Sequence, residues 1–157
     1  MLVSNIIYIF AKTIFILPKM TLQELESKLG YLRKEKQVKL SFPSNATPLQ
    51  NTTCNSIENH KNYNLKSLML YIQALGLILS VDGETIDSLE KFGEVLVLKR
   101  KSVGLSQLGI LFKTSLTQPR ISSIEKGRGY ERKSLITYLT ALPDTDFKLI
   151  DKYGNLQ

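Results

Sequence analysis

Residues 56–75 read SIENHKNYNLKSLMLYIQAL, and residues 123–142 read SIEKGRGYERKSLITYLTAL. The two stretches lie 67 positions apart, and the correspondence runs back without a gap to Arg33-Lys34 against Arg100-Lys101. Over that span 14 of 43 aligned pairs are identical, where unrelated residues match at roughly one in sixteen. A period of that length is the signature of a duplicated structural unit. The expectation is two copies of one small unit, each about 60 to 65 residues long, and therefore each with a small core.

Composition limits the chemistry. The apolar share of 43% is ordinary for a globular protein, and no low-complexity tract argues for extended disorder. A single cysteine, Cys54, excludes an intrachain disulfide, and a single histidine, His60, has no partner at metal-ligand spacing. Both read as structural residues, and neither a metal nor a cofactor is expected. The sequence carries no nucleophile-base arrangement or phosphate-cradling glycine loop, and Gly127-Arg128-Gly129 is too short to serve as one. The expectation is a protein without enzymatic activity.

The net charge is +7. Residues 91–133 hold ten Lys and Arg against Glu94, Glu125 and Glu131, so the whole excess lies in the second copy. Such a concentration attracts polyanions through counterion release; the plain alternative is a solvated basic surface.

The first nineteen residues, MLVSNIIYIFAKTIFILPK, are mostly apolar. Three readings compete for them. A secretory signal lacks its basic start and its small-residue cleavage site. A membrane anchor would bury Lys12 near mid-span at about 3 kcal/mol. The preferred reading is an over-extended start or a poorly ordered tail, because Met20 is followed by Thr21-Leu22-Gln23-Glu24, a capping box that opens an amphipathic helix. A cytoplasmic, nucleoid-associated protein without membrane attachment is expected.

In the second copy, Leu89, Phe92, Val95, Leu96 and Val103 give a helical apolar stripe from near Ser88, ended by Gly104. Ser106 is placed to cap a short helix with Ile110 and Leu111 inward. Ser115 falls at a turn, and Thr117 is placed to cap a third helix with Gln118, Pro119 and Arg120 in its first turn and Ile121 and Ile124 buried. A short helix, a tight turn and a helix bearing Gln and Arg at its start suit the major groove, where Gln pairs with adenine and Arg with guanine.

The run GLSQLGILFKTSLTQPRISSIEKG resembles the phage-repressor (Xre/Cro) helix-turn-helix family in unbroken register, over residues 88–142. The resemblance implies a mainly α-helical fold: two tandem five-helix repressor-like domains, each followed by a short β-strand. The expected layout is an extension over 1–19, a degenerate domain over 20–81, a linker over 82–90 and a DNA-binding domain with a terminal strand over 91–157. It implies sequence-specific binding of double-stranded DNA and transcriptional regulation, with repression the expected sign. Gln118, Pro119, Arg120 and Ser123 fall at the family's base-reading positions, and Gln107, Thr117, Lys126 and Arg128 at backbone positions. Arg100 and Glu125 would form a structural ion pair, repeated as Arg33 and Glu58. The chain departs from the family at Leu111, where a small residue is usual, and at Ser115, where a glycine is common. A left-handed Ser115 would cost about 1 kcal/mol.

The first copy is weaker in its middle. Pro43 falls within the expected second helix and Pro48 at the turn, where a positive φ is impossible for proline. Asn51, Thr52, Thr53 and Asn55 remain as a second DNA surface, with a scaffolding or dimerising role as the alternative. Helices over 65–75 and 133–142 are expected next, then strands over 77–81 and 146–150. Such a terminal strand resembles the dimerising strand of some antitoxins. The two strands can pair within one chain to give an intramolecular pseudo-dimer, or between chains to give a homodimer. The alternative function is accordingly an antitoxin-like subunit that binds a toxin-like partner protein and autoregulates its operon.

Overall fold

A computed structural model describes residues 19–37 and 49–157. The described residues form seven helices and three strands, so the protein is mainly helical with a small sheet. The first unit contains α1 (Leu22–Glu35), α2 (Asn51–Glu58), α3 (Leu65–Ala74) and β1 (Leu77–Val81). The second follows as β2 (Glu84–Ile86), α4 (Leu89–Ser102), α5 (Gln107–Lys113), α6 (Gln118–Glu125), α7 (Arg132–Leu139) and β3 (Phe147–Asp151). Unit two therefore has four helices where five are expected. The readings of residues 1–18, Pro43 and Pro48 lie outside the described residues.

Local signals set the helix ends. Thr21 and Glu24 form the expected capping box at α1, which satisfies two amide donors that the first turn leaves open. Ser88 and Ser106 cap α4 and α5 through Lys91 N–H and Gly109 N–H. Thr117 stands at the α6 cap position, but its hydroxyl makes no capping bond. Lys99, Arg100 and Lys101 lie in the last turn of α4, where cations oppose the negative end of the helix dipole. Gly104, at φ 73°, then redirects the chain. Val103, expected in the buried stripe, is exposed because α4 has ended one residue earlier.

The duplication is visible in three dimensions. α1 and α4 begin and end 67 residues apart, as do α2 and α6. The strands are 70 apart, because Pro143 to Asp146 replace the single Gly76 between helix and strand. β1 pairs antiparallel with β3, with Leu79 opposite Leu149 at the centre. Near the start of α3 and α7, Leu65 N–H donates to Tyr130 O at 3.0 Å and Arg132 N–H donates to Tyr63 O at 2.8 Å. These two bonds join equivalent positions reciprocally, as a twofold axis between the units requires. Asn64 and Glu131, also equivalent, face each other across that axis in an isolated bridge.

The strand order is β2-β1-β3. Residues 82–90, read as a linker, hold the Asp82-Gly83 turn, strand β2 and the α4 cap. On the far side of β3, Met20 N–H donates to Asp146 Oδ1 and Phe147 N–H donates to Met20 O. The segment leading into each unit's first helix thus bonds to the terminal strand of the other unit. Leu25, Leu29 and Leu32 from α1, Leu68 and Ile72 from α3, Phe92 and Leu96 from α4, and Leu149 from β3 belong to one continuous buried core. Apolar area shared in this way is removed from water only when both units are in place.

Candidate nucleic-acid interface

Helices α5 and α6 meet across a turn at residues 114–117. Ile110, Ile121 and Ile124 are fully buried between them, and Leu111 and Leu116 pack at the edge. The turn does not use a left-handed residue. Ser115 has no positive φ, and Thr114 closes the turn instead: its hydroxyl donates to Ile110 O at 2.8 Å and accepts from Leu116 N–H at 3.3 Å. The strain expected at Ser115 is absent because Thr114 is extended, at φ −130° and ψ 170°.

Burial of Ile121 and Ile124 fixes the opposite face of α6 toward solvent. Thr117, Gln118, Pro119 and Arg120 are exposed, and Ser123 is partly exposed. Beneath this face lies a bonded chain of side chains. Arg100 Nε donates to Glu125 Oε1 at 2.6 Å and Arg100 Nη2 to Glu125 Oε2 at 3.1 Å, while Arg100 Nη1 donates to Leu105 O at 2.7 Å. Tyr138 donates to the same carboxylate at 2.8 Å. Burial works to raise the Glu125 carboxyl, but the bonds from Arg100, Gln107 and Tyr138 outweigh it and hold the group below the usual carboxylate range. The carboxylate in turn pushes the Arg100 guanidinium up. Unit one repeats the pair, with Arg33 Nε donating to Glu58 Oε1 at 2.5 Å and Tyr71 bonded to the same oxygen.

Gln107, at the start of α5, has its side-chain amide bonded within the chain. Its amide Nε2 donates to Glu125 Oε2 at 2.7 Å, and its Oε1 accepts from Gln118 Nε2 at 2.8 Å. Gln107 therefore connects the buried Arg100–Glu125 pair to an exposed residue at the start of α6. The sequence places Gln107 and Gln118 at two helix starts, but only the packing angle brings the amides together.

Charge is one-sided here. Between residues 101 and 128, Lys101, Lys113, Arg120, Lys126 and Arg128 are all exposed, and the one acid, Glu125, is buried against Arg100. None of the five cations makes an ion pair among the described residues. The corresponding helix of unit one, α2, carries neither Lys nor Arg. Its Asn51, Thr52 and Asn55 are exposed and Thr53 is partly so, and Asn55 is engaged by the Asn59 amide at 2.9 Å. Cys54 fills the place of Ile121 and is fully buried.

No family model matches the chain, and neither a curated protein nor a solved structure is similar to it.

His60 is placed by a network that sequence reading missed. Its Nδ1 lies 2.8 Å from Glu26 Oε2, and Arg132 donates to the same carboxylate from Nε at 2.6 Å and Nη2 at 2.9 Å. Tyr63 also bonds to Glu26, which is fully buried. Glu26 sits on the apolar side of α1 next to Leu25 and Leu29, and a charge in that stripe was the available signal. Among the described residues no group of His, Cys, Asp and Glu is suited to hold a metal ion, and no helix is long and apolar enough to cross a membrane.

Proposed function

We propose that the protein is a sequence-specific double-stranded DNA-binding regulator of transcription, acting as a repressor, with α6 as its reading helix. The supporting observation is the α6 surface, with Gln118, Pro119 and Arg120 exposed in its first turn, in a stretch from 101 to 128 that holds five exposed cations without an ion-pair partner among the described residues and no exposed acid. A helix start tied through half-buried Gln107 to the Arg100–Glu125 pair suits base-edge contacts, and nearby cations suit phosphates. In this reading each unit is a repressor-like helix-turn-helix module. The chain is a single-chain pseudo-dimer, and it works in the cytoplasm on the nucleoid.

Selection of preferred duplexes from a random library, followed by footprinting of the best one, tests this. An enriched sequence protected over the α6 contacts is the expected result; the absence of any enriched sequence would remove base reading.

One observation favours a second reading, an antitoxin-like subunit that binds a partner protein. Leu108 and Phe112 stand one helical turn apart on α5, and are 55% and 77% exposed. Exposed apolar pairs of this kind suit protein contacts. Co-purification of a neighbouring gene's product, lost in Phe112→Ser, would bring that reading forward.

A further inference from the structure

The twofold axis between the units is flanked by a set of cations that neither reading uses in full. Residues 60–66, HKNYNLK, and 127–133, GRGYERK, occupy equivalent places on either side of it. Lys61 corresponds to Arg128, and Lys66 corresponds to Lys133, each 67 residues on. All four are exposed, and among the described residues none has an ion-pair partner.

The four fall into two pairs across the axis. Lys133 N–H donates to Asn62 Oδ1 at 3.0 Å, which sets Lys61 beside the start of α7. Arg128 and Lys66 line the same open groove of about 670 Å³ between the units. The remaining charges nearby are accounted for. Arg132 and His60 are bound to buried Glu26, and Glu131 accepts from the Asn62 amide at 2.8 Å. Asp87 and Glu90 line the groove as well. The four cations stand against three exposed acids, Asp87, Glu90 and Glu131, and the small positive excess that remains at the axis attracts a polyanion.

The pattern separates two tasks. Reading-helix charge exists in α6 and is missing from α2, whereas the axis cations are kept in both units. We propose that Lys61, Lys66, Arg128 and Lys133 form a phosphate clamp on the backbone of the duplex that α6 reads. Unit one then contacts DNA through Lys61 and Lys66 and not through base edges. This rests on the reading of the chain as a DNA-binding protein.

The test is fluorescence anisotropy of the full chain on its selected duplex and on a scrambled one, with salt varied fourfold. Each phosphate contact contributes about 0.9 to the slope of log affinity against log salt. The double variant Lys61→Ala/Lys66→Ala should lower the slope by about 1.8 on both duplexes, so that it loses about twelvefold less affinity than the parent over that range. Lys152→Ala, in the turn after β3, should leave the slope in place. An unchanged slope in the double variant, with Arg120→Ala still altering base preference, overturns the clamp and leaves α6 reading intact. An equal fall in Lys152→Ala overturns it in favour of bulk charge. A parent chain that binds neither duplex removes both proposals.

Discussion

Tyr63 and Tyr130 occupy the same place in the two units, 67 residues apart, yet only one of their hydroxyls is satisfied. Tyr63 donates to buried Glu26, while the Tyr130 hydroxyl has no partner among the described residues. The cause is one position on the facing helix: Glu26 of α1 corresponds to Gly93 of α4. Tyr130→Phe should therefore be neutral or stabilising, because a buried hydroxyl without a partner costs about 1 to 3 kcal/mol. Tyr63→Phe should destabilise by about 1 kcal/mol or more, since it removes a bond to a charged group. Urea denaturation of both variants checks the contrast, and equal losses would contradict it.

Gly93 has a reason of its own to be glycine. A Cβ there would run into the backbone carbonyls of Glu125 and Ile124, so α4 and α6 touch main chain to main chain. Gly93→Ala should cost about 1 to 3 kcal/mol as overpacking. It should also move α6 outward, so a thermal melt and the affinity for the selected duplex should fall together.

Glu26 ties the units to each other through Arg132. Glu26→Ala would leave a guanidinium, a hydroxyl and an imidazole around an empty place, and breaking a buried pair from one side costs about 3 to 5 kcal/mol. Because the core is continuous, both units should lose structure in one transition. Circular dichroism and tyrosine fluorescence should report the same midpoint; separate midpoints would mean that the units fold independently.

Arg120→Ala should weaken binding by about 1 to 3 kcal/mol and relax preference at one base position. Lys126→Ala should instead lower affinity evenly and reduce the salt slope by about one unit. A competition assay over single-base variants of the selected duplex separates the two; an even loss for Arg120→Ala would remove it from base reading.

Acid should destabilise the fold through Glu58 and Glu125. Both carboxyls are held below their ordinary value in the folded chain. A depressed folded value gives stability that is present above about pH 4.3, the unfolded value, and lost as pH falls through the folded one. Denaturation midpoints between pH 6 and pH 3 should show this loss. Glu125→Gln should start less stable and depend less steeply on pH over the same interval.

The sequence by itself determined the repeat and the helix stripes, while the pairing of Arg100 with Glu125, and of Arg33 with Glu58, was an implication of the family resemblance. The repeat and the stripes are periodic or repeated patterns, and such patterns survive in one dimension. Thr21 and Ser106 announced their caps because a cap involves only the next three residues, whereas Thr117, which the sequence offers equally as a cap, makes no side-chain capping bond. The closing of the turn by Thr114 was not legible, since several residues near Ser115 can redirect a chain. Only the tertiary structure decided that β1 pairs with β3, that Met20 bonds to the opposite unit's strand, and that Glu26 meets Arg132 across 106 residues. Such contacts depend on the angle at which two units pack, and that angle is set by the whole shared core. The same packing turned Gln107 inward to Glu125 and Gln118, and left Tyr130 without the partner that its counterpart has.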